Sequence, residues 1–269
     1  MYSRDSPASV SIHEETTFVA EVPMMGVFNN LVVFDQHVKQ NSLDSIVPDL
    51  ATGWSWNAGV SWHDGKPFTA KDVQCTFDML TGKSSEKLRV NPRKSWWRNL
   101  EAVSTNGDYE VTFHLKRPQP AFLTALAGGY SPIYPCHVAP RDMRSHPIGT
   151  GPFKFVEFKP NERITVTRNR DYWKEGRPYL DGIEYTIIRN QSTATLAFVA
   201  GKFDMSFPYS LEVPLLRDVK RQMPQAICEL VPLGISRSLI VNRDVPPPPA
   251  LIRPADIVLD EGIADIRLT

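Results

Sequence analysis

Proline limits this chain more than any other residue: 23 prolines fall among 269 residues, about one in twelve where globular chains average about one in twenty. Each fixes φ and removes a backbone donor, so long helices and central strands cannot run through it. A helix bundle is disfavoured, and short elements joined by many turns are expected. The rest of the composition is that of a globular chain, with 42% apolar and 22% charged residues. Thirty Lys and Arg balance thirty Asp and Glu. That neutrality leaves no overall electrostatic footprint for nucleic acid or an anionic membrane. No apolar run approaches the ~20 residues of a membrane span. The first residues, with Arg4, Asp5, Glu14 and Glu15, lack the apolar stretch of a signal peptide.

Local patterns predict a mixture of short strands and helices. Residues 1–16 are polar and patternless, and are expected to be disordered, with the folded part beginning at Thr17. Thr69-Ala-Lys-Asp72 reads as a capping box opening a helix that carries Val73, Phe77 and Leu80 on one face and stops at Gly82. Tyr109 to Leu115 alternates as a half-buried strand entered through the turn Asn106-Gly107. A second helix is expected over Ala121 to Ala127, opened by Pro120 and ended by Gly128-Gly129. Phe153–Phe158 and Arg163–Asn169 form a hairpin pattern. Ile183 to Arg189 predicts a strand, Ser192 caps a helix through Ala200, and Phe203 to Phe207 returns as a strand. Leu211 to Gln222 is a helical pattern interrupted by Pro214, and two more strand patterns cover 226–231 and 235–242. The class is α/β. From Pro246 onward prolines and scattered charges leave no periodicity, so 246–269 reads as a poorly folded, proline-rich tail.

Few residues suggest chemistry. His63-Asp64 invites an acid/base or metal reading, yet Asp64-Gly65 is a tight-turn dipeptide, and adjacent side chains on an extended strand point apart. Glu14-Glu15 lies in the patternless start. No nucleophile elbow, zinc-protease, dinucleotide or P-loop motif occurs, so neither an enzyme nor a cofactor is expected. Cys75, Cys136 and Cys228 contain no C-x-x-C pair. At most one disulfide can form, and the spacing does not say which. Gly149-Thr-Gly-Pro-Phe153 specifies a tight backbone path into a strand and is expected to be a buried turn, not a phosphate loop. Trp96, Trp97, Tyr130, Tyr134 and the cluster Phe207-Pro208-Tyr209 either line a pocket or fill a core.

Five ordered segments carry a family resemblance: Val47-Pro-Asp-Leu-Ala-Thr-Gly-Trp54, Trp62-His-Asp-Gly-Lys-Pro-Phe-Thr-Ala-Lys-Asp-Val73, Ile148-Gly-Thr-Gly-Pro-Phe153, Arg168-Asn-Arg-Asp-Tyr-Trp173 and Ala200-Gly-Lys-Phe-Asp204. Over Phe18 to Val245 the chain resembles family 5 extracellular solute-binding proteins, the dipeptide, oligopeptide and nickel receptors of bacterial ABC importers. The resemblance implies a type II periplasmic-binding-protein fold with a mixed sheet and short helices, of which 17–245 would form the first lobe only. It implies a receptor for peptides or similar small solutes, ABC importer permease subunits as partners and a periplasmic location, with a cytoplasmic one as the alternative that the start without a signal peptide leaves open. By position it places Trp96, Trp97, Tyr130, Phe207, Pro208, Tyr209, Gly234, Ser236 and Arg237 toward the ligand. The family continues into a second lobe where this sequence turns proline-rich at Pro248, so impaired binding is expected. A hydrolase on a mixed α/β scaffold and a gene fragment without function are the alternative readings.

Overall fold

The Thr69 capping box forms as the sequence predicts. In the computed structural model the Thr69 amide donates to Asp72 Oδ2 at 2.9 Å and opens a helix at Ala70. The model describes residues 1–17, 19–38, 41–52, 55–56, 59–206, 211, 213–228, 257–259 and 266–268. Within them Met1–Cys228 forms one compact unit.

That unit opens with strand β1 (Tyr2–Ser3) and helix α1 (Glu21–Met25), followed by the pair β2 (Val32–Phe34) and β3 (Ile46–Pro48) and the pair β4 (Ala51–Thr52) and β5 (Ser55–Trp56). Helix α2 (Ala70–Thr81) ends at Gly82, whose φ of 83° is the left-handed cap that glycine accepts without strain. Its buried Val73, Phe77 and Leu80 pack on the hairpin of β6 (Leu100–Thr105) and β7 (Val111–Leu115), and on helix α3 (Phe122–Ala127). Each such side chain contributes about 1.5–3 kcal/mol on burial. The Asn106-Gly107 turn and the strand into Leu115 match the sequence reading, although its partner β6 carried no sequence signal strong enough to predict it.

A second core lies under a four-stranded sheet. Strands β8 (Phe153–Lys159) and β9 (Arg163–Arg168) form the expected hairpin, turning through Asn161 at φ 63°. Strand β10 (Gly182–Ile187) pairs antiparallel to β9, and β1 pairs parallel to β10 with Tyr2 opposite Thr186. Helix α4 (Gln191–Val199) follows, then helix α5 (Val213–Gln222). Asn190, not Ser192, caps α4, its side chain accepting from the Thr193 amide at 2.9 Å. Pro214 does not interrupt α5, because it sits in the first turn where the missing amide has no partner to lose. Of the strand expected over 203–207, the described residues 203–206 show a parallel bridge from Ser206 to Tyr2.

The largest correction concerns residues 1–16. They are not disordered: Tyr2, Val10 and Ile12 are buried, and β1 lies between β10 and the Ser206 bridge. Val10 and Ile12 join the second core with Met24, Val27, Phe28 and Tyr134. The two buried glutamates of this stretch are satisfied by partners. Glu14, its side chain fully buried, receives Arg144 through both carboxylate oxygens at 2.6 and 2.9 Å. Glu15 accepts from the Ser9 amide at 2.8 Å.

Residues 229–269 form a second unit, which includes the tail expected over 246–269. Strands β11 (Ile257–Leu259) and β12 (Ile266–Leu268) pair antiparallel, the triplets Ile-Val-Leu and Ile-Arg-Leu each being too short to show periodicity. The strand pattern over 235–242 lies outside the described residues, as do 229–231 of the pattern over 226–231, whose described residues 226–228 form no strand.

Candidate ligand-binding site

Four of the five motif segments converge, but on a buried scaffold. Asn29 donates to both oxygens of Asp49 at 3.2 and 3.1 Å and to Tyr172 at 3.2 Å, while its own oxygen accepts from Thr150 at 3.1 Å. Asp49 also receives Lys174 at 2.6 Å. One knot therefore ties together the Pro-Asp-Leu, Gly-Thr-Gly and Asp-Tyr-Trp segments.

His63 joins the next pair of motifs. One imidazole nitrogen, Nδ1, accepts from the Gly149 amide at 3.3 Å and the other, Nε2, faces the Gly151 carbonyl at 2.9 Å. A neutral ring protonated on Nε2 makes both bonds. Burial lowers its pKa to about 4. Asp64 closes the predicted turn and pairs with His137 at 2.8 Å. Gly149 and Gly151 lie against the backbone of Gly26 and Val27: a Cβ on Gly151 would stand 2.6 Å from the Gly26 oxygen, and one on Gly149 would clash with the Val27 oxygen. The amides of both glycines are consumed internally, Gly151 by Val27 at 2.9 Å. The buried-turn expectation stands. The cysteine ambiguity also resolves: Cys75 on α2 is joined to Cys136, and Cys228 is free and exposed.

The predicted ligand residues separate. Trp97 is 2% exposed and packs edge-on against Phe77 and Phe122, so it belongs to the core and is corrected as a ligand residue. Trp96, on the same short 3-10 turn, is 48% exposed and meets Tyr130 edge-on at 6.1 Å. Phe207, Pro208, Tyr209, Gly234, Ser236 and Arg237 lie outside the described residues.

Two residues that the sequence reading missed, Arg93 and Glu21, complete the Trp96 cluster. The buried Arg93 guanidinium stacks 3.7 Å from the Tyr130 ring and 5.8 Å from Trp96, and donates to the Ile12 carbonyl at 3.1 Å. The 1–16 stretch thus supports this surface. Glu21 of α1 faces Tyr130 and Arg93. Burial raises its pKa, and those two partners draw it back. Tyr130 is pushed up to about 12 by burial and by Glu21. Gly129 leaves room for the Glu21 carboxyl, which a Cβ there would strike. Arg93 and Glu21 come from segments without local pattern, so only their neighbours in space identify them. Trp96 also walls an open cavity of about 800 Å³ running over Arg98 and Lys116 to Ala121. Among the described residues no group of His, Cys, Asp or Glu could hold a metal, and no helix is long and apolar enough to cross a membrane.

With this geometry, comparison with known proteins decides the family. The sequence profile of bacterial extracellular solute-binding proteins, family 5, matches residues 45–248. The chain belongs to that family. Oligopeptide-binding protein AppA of Bacillus subtilis is 34% identical over 180 residues, covering 62% of this chain and 32% of AppA. The AppA structure, solved with a nonapeptide, matches at a TM-score of 0.68 over 82% of this chain and 45% of AppA. HbpA2 of Haemophilus parasuis matches at a TM-score of 0.71 with 22% identity, covering 82% of this chain and 49% of its own, and shows the shared type II fold alone. The chain thus spans about a third to a half of the length of these two proteins. Family 5 proteins bind solutes and are not enzymes, which removes the hydrolase alternative.

Proposed function

We propose that this chain forms the first lobe of a peptide-type receptor for an ABC importer and presents one wall of the peptide site at Trp96 and Tyr130. The observation that carries this reading is the double likeness to AppA, in sequence and in fold, where the solved relative holds a nonapeptide. Phe207, Pro208, Tyr209, Gly234, Ser236 and Arg237 belong to the same proposed wall. The lobe would hold an extended peptide along exposed main chain with aromatic walls, a mode that tolerates many sequences. The proposed setting is the periplasm, with importer permease subunits as partners. The Cys75–Cys136 disulfide suits an oxidising compartment of this kind.

Calorimetry with di-, tri- and nonapeptides on the purified chain tests the proposal. One open wall encloses little of a ligand, so binding weaker than about 1 μM is expected. No heat with any peptide would overturn the proposal. Sub-micromolar binding would show that this lobe forms a complete site.

A further inference from the structure

The cations near Trp96 are divided in a way that a neutral chain does not require. Between Lys83 and Arg98 the sequence holds six Lys and Arg against one Glu. Arg93 is buried, stacked on Tyr130 and faced by Glu21. Arg98, Lys116 and Arg117 are exposed around the cavity beside Trp96, and no carboxylate lines it. None of the three forms an ion pair among the described residues.

The floor of this basin is built rather than loose. Asn99 donates to the Arg117 carbonyl and to the Gln119 side chain, both at 2.9 Å, and its carbonyl accepts the Lys116 amide at 2.9 Å. Lys116 Nζ reaches back to the Arg98 carbonyl at 2.9 Å, which holds that ammonium beside the Arg98 backbone. The cavity, at about 800 Å³, lies within the ~300–1,000 Å³ of small-ligand sites. It offers an aromatic face next to three uncompensated positive groups.

Building on the proposed peptide-binding role, we propose that this basin selects acidic peptides, with a ligand carboxylate taken by Arg98, Lys116 and Arg117 and its apolar part laid on Trp96. Guanidinium groups bind carboxylates through paired donors, so two arginines favour a carboxylate over a neutral side chain. Exposure keeps each contact modest and makes the preference sensitive to salt.

The test titrates the full chain with tri-glutamate, tri-alanine and tri-lysine at low and physiological salt. Tri-glutamate is expected to bind about tenfold tighter than tri-alanine at low salt, with the gap narrowing as salt rises. The double variant R98Q/R117Q should lose that gap, and R98E/R117E should turn the preference toward tri-lysine, with circular dichroism confirming that both fold. Equal affinity for the three peptides, or a gap that survives R98Q/R117Q, overturns the acidic-ligand inference while leaving peptide binding intact. Failure of all three to bind overturns both. Sedimentation with phosphatidylglycerol vesicles in place of tri-glutamate binding would assign the basin to a lipid surface and overturn it as well.

Discussion

The knot around Asn29 and the basin beside Trp96 belong to one compact unit and are built on opposite terms. In the knot every polar group has a partner: Asp49 receives Asn29 and Lys174, Thr150 donates to Asn29, and His63 spans Gly149 and Gly151. In the basin three cations stand without a carboxylate. The most recognisable motifs fall in the knot, where they specify the fold. The surface proposed to meet a ligand carries none of them. Family membership is therefore read from one region and ligand choice from another.

Substitution at Gly149 strains that comparison most. A Cβ there would overlap the Val27 carbonyl oxygen, and both are main-chain positions with no flexible side chain to move. Gly149→Ala should cost more than about 4 kcal/mol, the range reserved for broken core geometry, and leave the chain without a cooperative thermal transition. A soluble G149A protein melting within a few degrees of wild type would show that the glycine turn is not a structural junction.

The contrast also explains what the sequence could and could not reveal. Thr69, Asp72 and Gly82 act within a few residues of one another, and the hairpin of β8 and β9 closes through a four-residue turn, so both were legible. Strand β1 has two residues, and its partner Thr186 lies far along the chain. No window on residues 1–16 contains the reason they are ordered. Glu14 reads as a solvated charge until Arg144 is brought to it by the fold. Trp96 and Trp97 are neighbours on one tight turn, and sequence alone cannot tell which ring faces the core. The Cys75–Cys136 pairing was open for the same reason: α2 and the segment after Tyr134 meet only in three dimensions.

A pH titration sharpens the comparison by probing the knot alone. Unfolded, His63 has an ordinary pKa of 6.5; folded, burial lowers it to about 4. Between those values the unfolded chain holds more protons, so the contribution of His63 is complete above about pH 6.5 and is lost as pH falls toward 4. Protonation would also turn Nδ1 from acceptor to donor against the Gly149 amide. The effect should be about 1–3 kcal/mol. The buried His13, also lowered to about 4 by burial, adds to the same slope. Melting temperature should therefore fall between pH 7 and pH 4.5, and His63→Gln should flatten the fall while leaving the share from His13. Identical slopes for the two proteins would place the pH sensitivity elsewhere.

Trp96→Ala gives the smallest stability effect and the clearest separation between the two regions. The ring is 48% exposed, its edge-on contact with Tyr130 spans 6.1 Å, and the Arg93 guanidinium lies 5.8 Å away while stacking closer on Tyr130. Removing it strips one face from the cluster without opening a cavity in the core, so the change in stability should stay within about 1 kcal/mol. Affinity should respond more strongly, because an exposed indole is the type of side chain on which binding energy concentrates. A drop of about tenfold in peptide affinity is expected, about 1.4 kcal/mol, with a melting temperature close to wild type. A variant that melts several degrees lower while binding peptide as before would assign Trp96 to the scaffold, and the proposed ligand wall would have to be sought away from this cluster.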